Sequence, residues 1–191
     1  ILGYTGIVSL GHAAFLGLGA YSAGLLAKHG ISEPLLGLAV AIVVTTAFGA
    51  LCSATILRGT DLTRIMVTMG VSLILFELAN KFDDITGGAD GLQGVVIGPL
   101  LGRFEFDLYG QVAAWYSILV LLLFFLLARR LVHSPFGATL MAVRDNPLRA
   151  MAIGIPVGWR LSVIYTVAAG VAGAAGALLA QTTGFASLDV F

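Results

Sequence analysis

Charge is scarce in this sequence. Asp, Glu, Lys and Arg make up 10 % of its 191 residues, against roughly a quarter in soluble domains. So few charges cannot clothe a soluble globular surface, and a formal net charge of zero offers nucleic acid no electrostatic footprint. Cysteine is scarcer still. Cys52 stands alone inside an apolar run, which excludes a disulfide framework. The three histidines, His12, His29 and His133, fall at no metal-ligand spacing, so no metal site is expected. Neither lysine, Lys28 nor Lys81, follows a glycine, so the glycine-rich phosphate loop that ends in Gly-Lys-Ser/Thr is absent. Paired catalytic groups are missing too. The expectation is a protein that is not an enzyme and carries no cofactor; if nucleotide powers it, a partner performs the hydrolysis.

What the sequence has in excess is uncharged apolar runs. Leu35–Leu57, Leu108–Ala128 and Leu161–Leu188 each reach the roughly 20 residues that cross a bilayer. Ile65–Asn80 is interrupted only by Glu77, and Ile1–Ala27 carries no charge beyond one that His12 could hold. The fold class that follows is all-α, a polytopic transmembrane helical bundle with about five membrane segments. No basic stretch precedes the first run, so no signal peptide is read. The chain opens on Ile1 and closes on Phe191 without a polar tail, and the expectation is a piece of a longer protein, incomplete at both ends.

Between the last two runs lies Ser134–Ile155, SPFGATLMAVRDNPLRAMAIGI, more than a connector requires. Ser134 suits an N-cap with Pro135 at the first helical position, and Asn146-Pro147 repeats the arrangement. Gly154 supplies a stop and Pro156 prevents continuation. Phe136, Leu140 and Val143 recur at helical spacing, with Arg144 and Asp145 off that stripe. The spacing predicts a pair of short capped helices forming a docking surface; the plainer reading is an interfacial helix lying on lipid. If residues 129–160 are cytoplasmic, that side holds Arg58, Arg64, Arg129, Arg130, Arg144, Arg149 and Arg160, and the other keeps Lys28, Lys81 and Arg103. The excess of basic residues favours this orientation.

Glycine marks the packing. Gly19, Ala23 and Ala27 fall at four-residue spacing in the first segment, which reads as a close-approach face. Thr5–Gly11 reads equally as continuous helix or as a broken, re-entrant piece of the kind tolerated beside protein or a water-filled cavity. In the last run, Leu161–Gln181, Ala169, Gly173 and Ala177 form one small-residue face, and Ala172, Gly176 and Ala180 a second. A helix gripped from two sides is interior to a bundle. Arg58–Asp61 makes a tight turn in which Asp61 can cap the following helix. The loop 81–107 carries two basic against five acidic residues and the turn cluster Thr86–Gly91, and a loop of that length is more often functional than idle. His12 and Glu77 are candidate translocation-path groups, because ionisable side chains within membrane segments cost at least about 2.5 kcal/mol, and Ser9 is counted with them. The alternatives are a wet Glu77 near its interface and a neutral His12 bonded to a neighbour.

Five elements in order carry a family resemblance: GYTGIVSLGHAAFLGLGAYSAGLLA (Gly3–Ala27), the LRG turn (Leu57–Gly59), TGGADGL (Thr86–Leu92), the segment Ser134–Ile155, and AAGVAGAAGALLA (Ala168–Ala180). Together they resemble the inner-membrane permease of branched-chain amino acid ABC importers, in its M-type form rather than the H-type. The resemblance implies one transmembrane permease domain over 1–191, a cytoplasmic coupling loop at 134–155 and a periplasmic loop at 81–107. It implies a multi-pass protein of the bacterial inner membrane whose partners are an H-type permease subunit, cytoplasmic ATP-binding subunits, a periplasmic substrate-binding protein and membrane lipid. On that mapping Gly137, Arg144, Asp145, Asn146, Arg149 and Gly154 are the ATPase-coupling residues, while Gly19, Gly173 and Gly176 serve helix packing. The sequence departs from the family at Thr60–Arg64, which is more polar than usual, and at Ala138 and Met141, where a more basic surface is typical. Urea and short-amide importers have similar permeases and remain the alternative substrate class. An ion-coupled secondary transporter would want several intramembrane carboxylates, and only Glu77 offers itself.

Overall fold

The structure, a computed structural model, describes residues 2–7, 9, 11–56, 59, 61–100, 102–104, 106 and 110–191, with the backbone alone at residues 2, 61, 89 and 189. Among these the order is α1 (Leu2–Thr5), α2 (His12–Lys28), α3 (Pro34–Ile56), α4 (Asp61–Lys81), α5 (Asp83–Thr86), α6 (Gln111–Val132), α7 (Pro135–Asp145), α8 (Pro147–Ala152) and α9 (Val157–Thr183). No strand occurs among the described residues. Two isolated bridges join Leu92 to Ala186 and Leu100 to Phe104.

Four helices, α3, α4, α6 and α9, are long and apolar enough to cross a membrane. The first apolar run does not form a fifth continuous one. Helix stops at Thr5 and resumes at His12, with Gly6 at φ +70°, a left-handed conformation that glycine adopts without a Cβ clash. Of the two readings of Thr5–Gly11 the broken one describes this backbone; Val8 and Leu10 lie outside the described residues. The remaining α2 has 17 residues, the lower limit of a span, and is enclosed by other helices. The LRG turn lies outside the described residues except for Gly59, as do the side chain of Asp61 with its proposed cap, Leu108 at the start of its run, and Glu105 and Asp107 of the long loop.

The core is the packing of α2 and α3 on α9. Lipid tails are as apolar as leucine, so association within a bilayer depends on close van der Waals fit rather than on expelling water. The small residues supply that fit. A Cβ at Gly19 would meet the Gly173 carbonyl oxygen, and one at Gly176 would meet the Leu16 carbonyl oxygen and, at 2.9 Å, the Ala20 nitrogen. On the other side of α9, a Cβ at Gly173 would strike Thr45, and one at Gly49 would lie 2.5 Å from the Ala169 methyl. Thr45 is buried yet satisfied, its Oγ1 donating to the Ala41 carbonyl at 2.7 Å. Gln181 fastens the far end by donating from Nε2 to the Pro34 carbonyl at 2.8 Å. In contrast, α4 and α6 turn apolar side chains outward, Leu62, Met66 and Leu73 on one and Leu119, Leu121 and Phe125 on the other.

The end opposite α7 and α8 is closed by two non-helical pieces. Leu92 is fully buried and exchanges backbone hydrogen bonds with Ala186 at 2.7 and 3.3 Å. The closing chain then turns back, so that Phe191 stacks on Tyr21 at 5.6 Å between centroids in the space left by Gly17. Thr86, from the turn cluster, donates from Oγ1 to the carbonyls of Ala79 and Phe82 at 2.5 and 2.8 Å.

Candidate functional site

At its other end the bundle carries α7 and α8, whose boundaries follow from side-chain chemistry. The Gly137 N–H donates to Ser134 Oγ at 3.3 Å, with Pro135 at the first position. The Arg149 N–H donates to Asn146 Oδ1 at 3.0 Å, with Pro147 following. Each cap satisfies a helix-start donor and contributes about 1 kcal/mol. Gly154 ends the pair at φ +85°. The stripe along α7 buries Gly137, Leu140 and Val143, leaving Phe136 half-buried beneath the guanidinium of Arg160, 4.9 Å from its ring centroid.

The residues expected to couple to an ATPase divide by position. Gly137 faces inward, where a Cβ would collide with the Val132 carbonyl oxygen and stand 2.8 Å from that of Leu131. It sets how closely α7 turns against the end of α6. Arg144 turns back toward the chain. Its Nη1 donates to the Gly3 carbonyl at 2.6 Å, and its Nε and Nη2 reach Asp145 Oδ1 at 3.1 and 2.9 Å. The pair ties α7 to α1. Arg149 extends from an exposed position, beside exposed Leu148, Met151 and Ile153. Met141 on α7 is exposed as well, as are Arg144 and Asp145 that follow it. Four large apolar side chains displayed at a helix pair whose opposite stripe is already buried are unusual on a surface with nothing to meet.

Above α7 the break before α2 places Ser9 and His12 on one wall of a cavity of about 960 Å³, together with Tyr4, Thr46, Phe124 and Val171. His12 packs edge-on against the rings of Phe15 and Tyr165, at 6.0 and 5.7 Å. Tyr165 is fully buried. Its hydroxyl and Ser9 Oγ lie close to each other, short of full hydrogen-bond geometry. Ser9 and His12 therefore both line the cavity, and Tyr165, which is not a lining residue, backs His12 from within the core. Glu77 does not. It is exposed on α4, one turn before that helix ends at Lys81, and is not among the cavity's lining residues. No group of three potential metal ligands occurs among the described residues. Among the described residues the cavity is lined by no Asp, Glu, Lys or Arg; the arrangement can bind apolar matter, and it can present a docking face.

Helices of this number, length and apolarity, welded by glycine and alanine, define a multi-pass membrane protein. Across residues 1–191 the chain matches the family described as "Branched-chain amino acid transport system / permease component", and it belongs to that family. Among curated proteins it is similar to the high-affinity branched-chain amino acid transport system permease protein LivM of Salmonella typhimurium, 27 % identical over 219 aligned residues that cover 100 % of this chain and 50 % of the relative. The LivM of Escherichia coli K12 is 25 % identical over 213 residues, with the same coverage of both. The chain thus spans about half the length of the curated relatives it matches. No solved structure matches it.

Proposed function

We propose that this chain is part of the membrane-spanning permease of an ATP-driven importer in the bacterial inner membrane. It would move leucine, isoleucine or valine delivered by a periplasmic binding protein, alongside a homologous H-type permease subunit. ATP hydrolysis belongs to separate cytoplasmic subunits that grip α7 and α8. The observation that carries this reading is the capped helix pair, with Met141, Leu148, Met151 and Ile153 exposed along with Arg149. Exposed apolar anchors suit a helix seated in a partner's groove. The excess of basic residues at that end supports a cytoplasmic position for it, with the loop 81–107 on the periplasmic side. Family membership and the names of the two relatives support the substrate class.

The test is uptake of labelled leucine by proteoliposomes containing the full-length permease, its partner subunits and its binding protein, with and without internal ATP. ATP-dependent uptake that unlabelled urea does not compete supports both class and substrate. Uptake independent of ATP overturns the importer. ATP-dependent transport of urea but not leucine moves the substrate to small amides.

A further inference from the structure

The cavity is too large and too apolar to be explained by one amino acid. At about 960 Å³ it stands at the upper end of small-molecule sites, and Ile42, Phe124, Leu127, Ile164, Val167 and Val171 form its walls. A zwitterion leaves water only where both charges find partners, and the lining contains no Asp, Glu, Lys or Arg among the described residues. Its polar side chains are Tyr4, Ser9, His12 and Thr46, and Tyr4, Val132, Gly137 and Leu140 line it at the α7 end. The walls have the chemistry of hydrocarbon.

That same end opens onto a second hollow of about 410 Å³, which shares Tyr4, Ala128 and Val132 with the first and adds Arg129 and His133. Arg129 lies in the last turn of α6. It is exposed, and no ion pair or side-chain hydrogen bond engages it among the described residues. Arg130 follows it, also exposed. His133 Nδ1 is 2.8 Å from the Arg129 carbonyl, which leaves Nε2 for an outside partner. The acid of α7 is already committed, since Asp145 pairs with Arg144. An apolar slot within the span therefore leads to unpaired positive charge at its rim, where the last turn of a membrane helix meets headgroups.

We propose that the α6–α9 cleft is a binding site for an anionic phospholipid, one acyl chain lying in the cavity and the phosphate on Arg129 and His133. The occupant is a lipid because the charge at the rim complements a phosphate and the slot complements a chain. The inference needs only a membrane around the protein and holds whatever the permease transports.

The experiment uses the full-length permease in nanodiscs containing phosphatidylglycerol with a photoreactive diazirine on its acyl chain, and mass spectrometry of the labelled peptides. Adducts are expected on the cleft-lining residues Leu127, Leu131, Ile164 and Val171. Dioleoyl-phosphatidylglycerol should displace them at about fivefold lower mole fraction than dioleoyl-phosphatidylcholine, the factor one basic residue contributes near a membrane surface. Arg129→Gln should erase that preference, and Val171→Trp should remove the cleft adducts while those on the outward Leu119 and Leu121 persist. Two results overturn the proposal. Absence of cleft adducts in the wild type means that protein, not lipid, fills the slot. Equal displacement by the two lipids means bulk hydrocarbon contact without headgroup recognition.

Discussion

Gly19→Ala puts the packing of α2 on α9 to a direct test. A methyl at position 19 would be aimed at the carbonyl oxygen, Cα and carbonyl carbon of Gly173. All three are backbone, so no rotamer change can relieve the contact and the helices must separate. Overpacking a tight core costs roughly 1–3 kcal/mol, and the rigid target puts this site at the upper end. Replacing a mid-helix glycine by alanine returns about 1 kcal/mol of helix propensity. The net expectation is a loss of about 2 kcal/mol, or a fall in melting midpoint of roughly 2–4 °C in the full-length protein, whose unfolding entropy is about twice that of a domain of this size. Gly70→Ala is the matched control, because a Cβ there meets nothing within 4 Å and the propensity gain stands unopposed. The assay is thermal denaturation of both full-length variants in the same detergent, followed by the monodisperse fraction after heating. If Gly19→Ala melts with the wild type, the two backbones are not in contact and the central packing described here is wrong.

Three further outcomes follow from the α7 end and from α4. Asn146→Ala removes the acceptor for the Arg149 N–H, costs about 1 kcal/mol locally, and should speed amide hydrogen exchange across residues 147–152 severalfold while α9 stays protected. Arg149→Glu should depress ATPase stimulation in the assembled transporter by itself; adding Arg144→Glu should also release α1, read as new protease or cysteine accessibility near Gly3. Glu77→Gln should leave uptake within about twofold of wild type, since Glu77 is exposed and apart from the cavity; a large loss of transport would return it to the path.

Much of the fold was legible because two signals in the sequence are local. Uncharged length marks the spans, so α3 begins and ends within a residue of the run Leu35–Leu57. Caps mark the short helices, so Ser134-Pro135, Asn146-Pro147 and Gly154 stand where the boundaries fall. The small-residue faces of α9 also pointed to an interior helix, and Gly173 and Gly176 do stand against α3 and α2 respectively. What periodicity could not supply is partner choice over long separations. The Arg144 side chain reads as a free surface charge until the fold brings the Gly3 carbonyl to it, 141 residues away in sequence.

Gly137 makes the same point more sharply. In sequence it sits among the candidate coupling residues, and its missing side chain could serve a partner. In the fold, the Val132 carbonyl occupies the space a Cβ would need, so its first duty is to the turn between α6 and α7. The residues with room left to meet another protein are the ones the apolar stripe rejected, Met141, Leu148, Met151 and Ile153 with Arg149. A docking face is thus better sought by subtracting what the fold has already used than by collecting the charged residues of a segment. Applied to α6, the same subtraction leaves Arg129 and its apolar slot, which no motif had marked.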